Sequence, residues 1–515
     1  MKKNWKKTLI TAFLITAVLA GCSSNNNNNN NSTNSANTNT NGNTSAPTET
    51  AEKPFHISIM TMAYSPEPPA DGSPVIKALE EFTNTDLDVE FVPASNFAER
   101  FNITLASNEL PTLLLAEKSS SFIDAAKKGA FWDLTDKLKD YENLSQLNEI
   151  VKNNISIDGK IYGIPRLSAD LGNSAVTIRQ DWLDNLGLSI PKTIDEFYNV
   201  MDAFTNDDPD QNGKKDTYGM VVSEYPLPWD VMQIWYGVPN EWGIDDSGKL
   251  YPYFQDDRYL EALNFFKKMY DEGLVNEDFA VMDSGKWGDA FVNGQAGSMI
   301  DTPGRSTRSE KTMVQANPEL EGSVGLFGAV EGPEGLFNRP SIGYDRMFAI
   351  PKSTVKTEED LDKVLAFVDK LATEEGQKLA FNGIEGVHYE IKDGEYVPFE
   401  DDQKLVYEHT DTNQLLTFIA GKNFYQVLSD NKKREKEVVE ANNKIVVPNP
   451  AEPLISGTYT RIGQQLDNIM LDARIQYIVG QIDEKGLKDA EALWLKTGGD
   501  KYIEEINQEY QKYNK

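Results

Sequence analysis

Short apolar segments rich in β-branched and aromatic residues alternate along the chain with longer amphipathic segments. Apolar runs of four to seven residues of this kind are typical of buried β-strands. Strands separated by helices favour α/β lobes with mostly parallel sheets. The pattern predicts strands at residues 56–62, 87–92, 112–116, 161–165, 218–223, 297–300, 324–329 and 346–350.

Amphipathic helices with visible start signals lie between these strands. Thr193 and Glu196 form a capping box before an apolar stripe of helical spacing, and Thr357 with Asp360 is a weaker cap before another. Residues 257–272 form a third helical segment, which a glycine ends. These signals predict three helices that pack on the sheets.

The N-terminus has the composition of a secretion signal. Residues 1–21 carry four lysines and then an apolar run that is too short to span a bilayer. The end of this segment, Leu19-Ala20-Gly21-Cys22, resembles the lipobox of bacterial lipoproteins, in which the cysteine is acylated, for example by palmitate. The alternative is an ordinary signal peptide, in which Cys22, the single cysteine of the chain, is a stray thiol. Lipidation predicts a protein anchored on the outer face of the cell membrane.

Residues 22–53 are rich in Asn, Ser and Thr and contain almost no large apolar side chain. Such a segment buries too little surface to offset the entropy lost on ordering, so we expect a disordered tether. The remaining body of about 460 residues exceeds one ordinary core and predicts two lobes. Loss of the signal lysines changes the net charge from −31 to about −35, which repels nucleic acid. The acidity equally fits a generic solubility feature of exported proteins.

The sequence offers little material for the commoner catalytic centres. It has three histidines, His56, His388 and His409, and one cysteine. Zinc clusters and Cys/His nucleophile arrangements therefore have few building blocks. The hydrolase elbow, zinc-protease and phosphate-loop motifs are also absent from the sequence. We expect a protein that is not an enzyme.

Residues 208–219 have the ligand spacing of an EF-hand loop. Counted from Asp208, oxygen donors fall at Asp208, Asp210, Asn212, the Lys214 carbonyl and Asp216, with a glycine at the sixth position. The twelfth position is Gly219 instead of glutamate, so Asp207, the Thr217 hydroxyl or water must complete the shell. The sequence predicts a weak, structural calcium site between a helix and a strand. The alternative is an Asp/Asn/Gly turn without metal.

Residues 223–243 cluster five Trp and Tyr side chains beside acidic residues. Flat aromatic rings stack on the CH faces of sugars, and carboxylates accept hydrogen bonds from sugar hydroxyls. The cluster therefore favours carbohydrate binding. Helical spacing of positions 229, 232, 235 and 236 leaves open the alternative that these aromatic residues belong to a core.

Five segments together resemble the extracellular solute-binding proteins of bacterial ABC importers, specifically the large carbohydrate-binding lipoproteins of family 1. They are residues 160–166, 177–204, 208–219, 291–300 and 366–389. The resemblance covers nearly the whole body. It implies a class II periplasmic-binding-protein fold with hinge-joined α/β lobes that close over a sugar, followed by C-terminal helices.

The resemblance also implies domain boundaries and a place for the hinge. The first lobe would comprise residues 54–172 and 338–398, and the second lobe residues 173–337 and 399–515. The first crossing between the lobes would lie near residues 172–178. The calcium loop resembles that of alginate-oligosaccharide binders, in which an acidic residue stands at the position of Thr217 here.

Carried over by position, the resemblance implies ligand contacts from both lobes. All of these side chains follow predicted strands or lie in the aromatic segment, and each charged one is equally compatible with a structural salt bridge. They are Tyr64, Glu117, Lys118, Arg166, Glu224, Tyr225, Trp229, Trp235, Asp301 and Arg305.

The predicted function is therefore capture of an extracellular oligosaccharide or modified sugar and its delivery to ABC permease subunits by a monomer. The alternatives are a binding protein for a peptide or an organic ion, a surface sensor, and a secreted glycan hydrolase. A hydrolase needs two carboxylates across a cleft, for which Glu224 and Asp301 are one conceivable pair. An anionic cargo calls for cleft cations such as Lys118, Arg166, Arg305 or Arg346.

Overall fold

The structure, a computed structural model, describes residues 53–513 except 66, 71, 108, 167–169, 284, 400–402, 418–424 and 426–428. Residues Pro54–Lys515 form one compact unit. The predicted signal, Cys22 and nearly all of the predicted tether lie outside the described residues. Within them, every helix is too short or too polar to cross a bilayer.

The described residues form α-helices between and after strands, and most strands of the two larger sheets are rich in apolar or β-branched residues. The strands are β1 (Phe55–Ala63), β2 (Thr85–Pro93), β3 (Leu113–Ala116), β4 (Gly163–Arg166), β5 (Ala175–Arg179), β6 (Tyr218–Met220), β7 (Trp242–Ile244), β8 (Leu250–Pro252), β9 (Ala296–Asp301), β10 (Val324–Phe327), β11 (Glu331–Gly332), β12 (Gly335–Leu336), β13 (Arg346–Ala349), β14 (Tyr389–Lys392) and β15 (Glu395–Pro398).

The helices are α1 (Pro74–Thr83), α2 (Phe97–Ser107), α3 (Ser120–Lys127), α4 (Glu149–Ile155), α5 (Gln180–Leu186), α6 (Ile194–Asn206), α7 (Leu227–Trp235), α8 (Asp257–Asp271), α9 (Trp287–Val292), α10 (Gly304–Ala316), α11 (Glu358–Leu371), α12 (Glu374–Asn382), α13 (Gln403–Thr410), α14 (Asp430–Asn442), α15 (Gly457–Ile478), α16 (Glu484–Trp494) and α17 (Asp500–Tyr513).

The predicted helix starts are confirmed by their hydrogen bonds. The Thr193 hydroxyl accepts from the Glu196 amide at 3.2 Å, and the Thr357 hydroxyl accepts from the Asp360 amide at 3.1 Å. The reciprocal bond of the capping box goes one residue further, from the Lys192 amide to the Glu196 carboxylate at 2.7 Å. Both caps fix where a helix leaves its loop.

Two sheets organise two lobes. The first lobe is built on a five-stranded sheet of order β2-β1-β3-β13-β4, and the second lobe on a four-stranded sheet of order β10-β5-β9-β6. Each sheet has its own buried apolar core, and the second core also takes in the end of α15. The α/β fold with two lobes matches the sequence prediction.

The expectation of mostly parallel sheets is wrong. Pairs β1–β2, β1–β3 and β6–β9 are parallel, whereas β13 runs antiparallel to β3 and β4, and β5 runs antiparallel to β9 and β10. The reversed strands, β5 and β13, are those at which the chain enters one lobe from the other. A helical crossover within one sheet makes the strands on either side of it run parallel. Strands β5 and β13 are not reached through such a crossover, so their direction is not constrained in this way.

The predicted second-lobe boundary at residue 399 is also wrong for the segment that follows it. Leu415 and Leu416 are buried in the first core, and the Thr417 hydroxyl donates to the Pro165 carbonyl of β4 at 2.8 Å. Helix α13 contacts α1 and α12 of the first lobe. Apolar burial therefore keeps residues 403–417 with the first sheet. The helices from α15 onward follow the predicted helical C-terminus.

Candidate functional site

The predicted first-lobe residues follow strands that end at one edge of the first sheet. Met60 pairs with Leu114 in parallel β1 and β3, so the register brings Tyr64 level with Lys118 beyond the two strand ends. Arg346 at the start of antiparallel β13 pairs with Arg166 at the end of β4. Ligands of open α/β sheets bind outside such strand ends.

An ion-pair network joins the charged residues at this edge. Arg166 bonds to Asp345 and Gln414, and Arg346 bonds to Asp345 and Glu117. The Arg166 side chain is only 1% exposed. We therefore correct its predicted role as a ligand contact, because its guanidinium is fully buried and is used to hold Asp345. The Glu117 carboxylate, bound to Arg346, remains 48% exposed.

Tyr64 and Lys118 present different chemistry beside this network. The Tyr64 side chain is 58% exposed, while its amide is fixed by the Asp411 carboxylate at 2.9 Å. Lys118 donates to the carbonyls of Asn154 at 2.9 Å and Glu452 at 3.0 Å. Burial lowers the pKa of Lys118 to about 8, although the Glu452 charge opposes the shift. Tyr64 thus offers a free ring, and Lys118 ties the first lobe to the segment before α15.

The second lobe places a ring cluster at the corresponding edge of its sheet. Tyr225, 44% exposed, meets Trp287 edge-on at 6.2 Å, and the Arg305 guanidinium lies 5.8 Å from the Trp287 ring centre. Asp301, at the end of β9, accepts from Arg305 Nε at 2.6 Å. Glu224, beside Tyr225, is exposed. A solvent-exposed ring beside an oriented carboxylate and guanidinium suits a sugar face and its hydroxyl rim.

Trp229 and Trp235 are corrected from ligand contacts to core residues. Trp229 is 2% exposed and packs on Phe266 and Phe279, with centroids 4.9 and 5.4 Å away. Trp235 is fully buried and meets Phe197 at 5.4 Å. Both rings lie on the inner face of α7, so the helical-spacing alternative explains them.

Sequence reasoning missed four residues that lie around this candidate site: Trp287, Arg339, Glu241 and Glu452. Glu241 is exposed to solvent, and its carboxylate accepts a hydrogen bond from the Asn449 side-chain amide at 3.0 Å. Trp287, Arg339 and Glu452 lie outside any motif, so the sequence carried no specific signal for them, whereas Glu241 belongs to the acidic and aromatic segment 223–243 without being singled out there. A weak hint exists for Glu241, whose φ of 63° marks a tight turn in an Asn-Glu-Trp-Gly stretch.

The electrostatics connect these residues to both lobes. Glu241 is solvent-accessible, but the protein atoms that surround it desolvate the carboxylate and raise its pKa to about 7, with Glu452 adding to the rise and Arg339 opposing it. Burial likewise raises the pKa of Glu452, and the charges of Lys118 and Arg339 partly offset this rise. Burial also raises the pKa of Tyr225, and the Arg339 charge partly offsets that rise. Arg339 therefore lies within electrostatic reach of Tyr225 in the second lobe and of the Glu452 segment that Lys118 binds.

A cavity of about 870 Å³ lies where residues 135–161 of the first lobe approach residues 237–258 of the second and the linking residues 447–450. None of the predicted ligand residues lines it. The cavity lining includes Asn449, which donates a hydrogen bond to the Glu241 carboxylate. We place the candidate site at the strand ends, where exposed rings and oriented charges occur.

The acidic loop joins α6 to β6, as predicted. The Gly213 amide donates to the Asp208 carboxylate at 3.1 Å, which closes the turn at the sixth position. The side-chain nitrogen of Asn212 lies 2.6 Å from an Asp210 carboxylate oxygen and 3.1 Å from an Asp216 carboxylate oxygen, so a hydrogen-bond donor lies between the two carboxylates. Such a position between two carboxylates is one that a cation would also favour, so the donor set of this loop fits a hard cation.

Two details limit this loop as a metal site. The Thr217 hydroxyl donates to the Phe204 carbonyl at 2.8 Å and the residue is buried, so its predicted role as a ligand is corrected. Across the described ranges, no three Asp, Glu, His or Cys side chains converge closely enough to hold a metal ion in the present arrangement. A cation would have to draw the carboxylates together and displace the Asn212 amide nitrogen.

Comparison with protein families matches residues 65–378 to the model described as bacterial extracellular solute-binding protein. Lipoprotein LipO of Bacillus subtilis (strain 168) is 44% identical, over 99% of both chains. The polygalacturonan/rhamnogalacturonan-binding protein YtcQ of the same strain is 34% identical, again over 99% of both.

Solved structures share the fold at lower identity. The HMO-binding, ABC-transporter-associated solute-binding protein of Bifidobacterium longum infantis ATCC 15697 has a TM-score of 0.66 at 19% identity, covering 90% of this chain and 99% of that one. An EF-hand mutant of the S. pneumoniae ABC-transporter substrate-binding protein FusA has a TM-score of 0.58 at 19% identity, covering 89% and 99%.

Proposed function

Since the chain belongs to the family of bacterial extracellular solute-binding proteins, we propose that it is the substrate-binding component of an ABC importer for an oligosaccharide. Its cargo binds between the strand ends of the two lobes, which close over it. The closed form then docks on the permease subunits, because closure brings the outer surfaces of both lobes into one arrangement.

The observation that carries the sugar assignment is the Tyr225, Trp287, Arg305 and Asp301 cluster. It combines an exposed ring with a carboxylate and a guanidinium that hold each other in place. Fixed polar groups around an apolar face are what a sugar ring requires. Tyr64 offers a second exposed ring from the first lobe.

Relatives support the same class of cargo. YtcQ is named for binding polygalacturonan and rhamnogalacturonan, and its similarity extends over the whole chain. Both named activities are binding and not catalysis, so we propose that this chain also binds its sugar without cleaving it. Incubation with the bound oligosaccharide should release no new reducing ends. Sustained release of reducing ends would instead favour a hydrolase.

Two further features belong to the proposal. Calcium would be held by the side chains of Asp208, Asp210, Asn212 and Asp216 and the Lys214 carbonyl, where it would brace the α6–β6 connection. Support comes from the donor spacing and from the EF-hand in the FusA structure. Acylated Cys22 would anchor the chain on the outer face of the membrane, in keeping with the lipoprotein name of LipO.

A thermal-shift screen of residues 23–515 tests this function. The panel contains oligogalacturonides, rhamnogalacturonan oligosaccharides, fructooligosaccharides, peptides and organic acids, each with calcium and with EDTA. A ligand that binds the native state raises the melting temperature by mass action. We expect one oligosaccharide class to raise it, in EDTA as well. A response only to peptides or organic acids would contradict the sugar assignment and leave the family intact.

A further inference from the structure

Arg339 lies where three connections between the lobes meet. The side-chain amide of the preceding residue, Asn338, donates to the Ser174 carbonyl at 3.0 Å. Its backbone bonds to Ile445 at 2.9 Å and to Val447 at 3.1 Å. The Arg339 amide is itself capped by the Asn338 side chain at 2.8 Å. The backbone that carries this arginine is therefore fixed by both neighbouring segments before any ligand arrives.

The guanidinium of Arg339 differs from the others around the candidate site in having no acceptor. Arg166 binds Asp345, Arg305 binds Asp301 and Arg346 binds Glu117 and Asp345. Arg339 is half-buried, and among the residues that the structure describes its guanidinium has neither a hydrogen-bond nor an ion-pair partner. A half-buried fork of five donors without an acceptor is costly unless something else binds it.

The nearby carboxyl groups do not act as that partner. Glu241 and Glu452 lie within electrostatic reach of Arg339, but neither approaches within ion-pair distance of it. A carboxyl group paired with arginine has a lowered pKa. The pKa values of Glu241 and Glu452 are instead raised, in both cases chiefly by burial. A planar, permanently charged fork, held where the connections between the lobes meet, therefore remains available to a ligand.

We propose that Arg339 binds a carboxylate of the cargo, so that the imported oligosaccharide is acidic and carries uronic acid units. This inference rests on the proposed function, because it assigns the substrate class of the same site. A carboxylate matches the guanidinium with two parallel hydrogen bonds, whereas a sugar hydroxyl uses only one of its donors. Tyr225 offers an exposed ring within electrostatic reach of Arg339, whose charge partly offsets the rise in the Tyr225 pKa that burial causes.

Isothermal calorimetry on residues 23–515 tests the inference. The probes are trigalacturonic acid and a glucuronic-acid-substituted xylo-oligosaccharide, each with its carboxyl-reduced, neutral counterpart. We expect an acidic probe to bind about 10- to 100-fold more tightly than its neutral counterpart, the value of a charge-assisted bidentate contact. Arg339→Gln should remove most of that difference, and Arg339→Lys, which keeps the charge without the fork, should remove part of it.

Arg308→Gln is the matched control, because it removes an exposed arginine of α10 in the second lobe. It should leave the preference for the acidic probe unchanged. Raised salt should weaken acidic binding to the native protein more than to Arg339→Gln. The acidic-to-neutral ratio of the native protein decides the substrate class even if a variant fails to fold.

The outcomes separate the two proposals. If the native protein binds neutral fructo-, galacto- or malto-oligosaccharides as tightly as acidic ones, the acidic cargo is wrong while sugar transport stands. Equal losses of acidic and neutral binding in Arg339→Gln would also overturn the role of Arg339. If no acidic or neutral oligosaccharide binds, the proposed function itself fails.

Discussion

Replacement of Tyr225 by alanine removes the exposed ring on which we expect the sugar to stack. A tyrosine presents about 200 Å², and 44% of Tyr225 is exposed, so a sugar has about 90 Å² to cover. At about 25 cal/mol per Å² this area contributes about 2 kcal/mol, which corresponds to about a 30-fold loss of affinity. The melting temperature should fall less than after loss of a fully buried ring, because 44% of Tyr225 already faces solvent.

Trp229→Ala is the matched comparison, since both aromatic residues come from the same segment. Trp229 packs against Phe266 and Phe279, so its removal leaves a cavity that costs about 3–5 kcal/mol of folding free energy. Urea unfolding and calorimetric titration with the oligosaccharide found in the thermal-shift screen measure both effects. An affinity change below threefold in Tyr225→Ala, at unchanged stability, would refute the assignment of this ring to the site.

Three further predictions concern pH, metal and anchoring. The pKa of Glu241 is raised from 4.5 to about 7, so between these values the unfolded carboxyl ionises first and stability falls as the pH rises. Glu241→Gln should therefore gain melting temperature over the native protein above pH 7 and lose that gain towards pH 4.5, and a gain independent of pH would contradict the shift. Calcium should raise the melting temperature of the native protein, reversibly with EDTA, but not that of Asp210→Ala; an equal response of both would exclude this loop. Cys22→Ser should move the full-length protein from the membrane fraction to the medium of a bacterial host, and retention in the membrane would argue against lipidation.

Strand positions follow from the sequence, whereas strand directions do not. Each predicted run lies on a strand, because β-branched and aromatic residues suit a buried sheet wherever they occur. The direction of β5 and β13 depends on the lobe from which the chain arrives, which no local pattern encodes. The placement of Leu415 in the first core is likewise a long-range contact.

In the candidate site, too, the sequence indicates the types of residue but does not indicate which side chains face the site. Tyr225 and Trp229 stand four residues apart with similar chemistry, yet one ring faces solvent and the other faces the core. Arg166 and Arg339 each stand next to a proline in the sequence. Only the three-dimensional packing shows that the Arg166 guanidinium is paired with Asp345, whereas the Arg339 guanidinium has no partner among the described residues. Which lone residues converge is set by the tertiary fold, and spacing alone does not reveal it.

The central claim is that an oligosaccharide binds between two lobes that close over it. Residues 23–515 contain no cysteine, so Asp88→Cys in the first lobe and Asp246→Cys in the second, both at exposed positions, accept a pair of fluorophores. Energy transfer between them should change and saturate along the same curve as calorimetric binding of the oligosaccharide from the screen. Calorimetric binding without any change in energy transfer would contradict capture between the lobes.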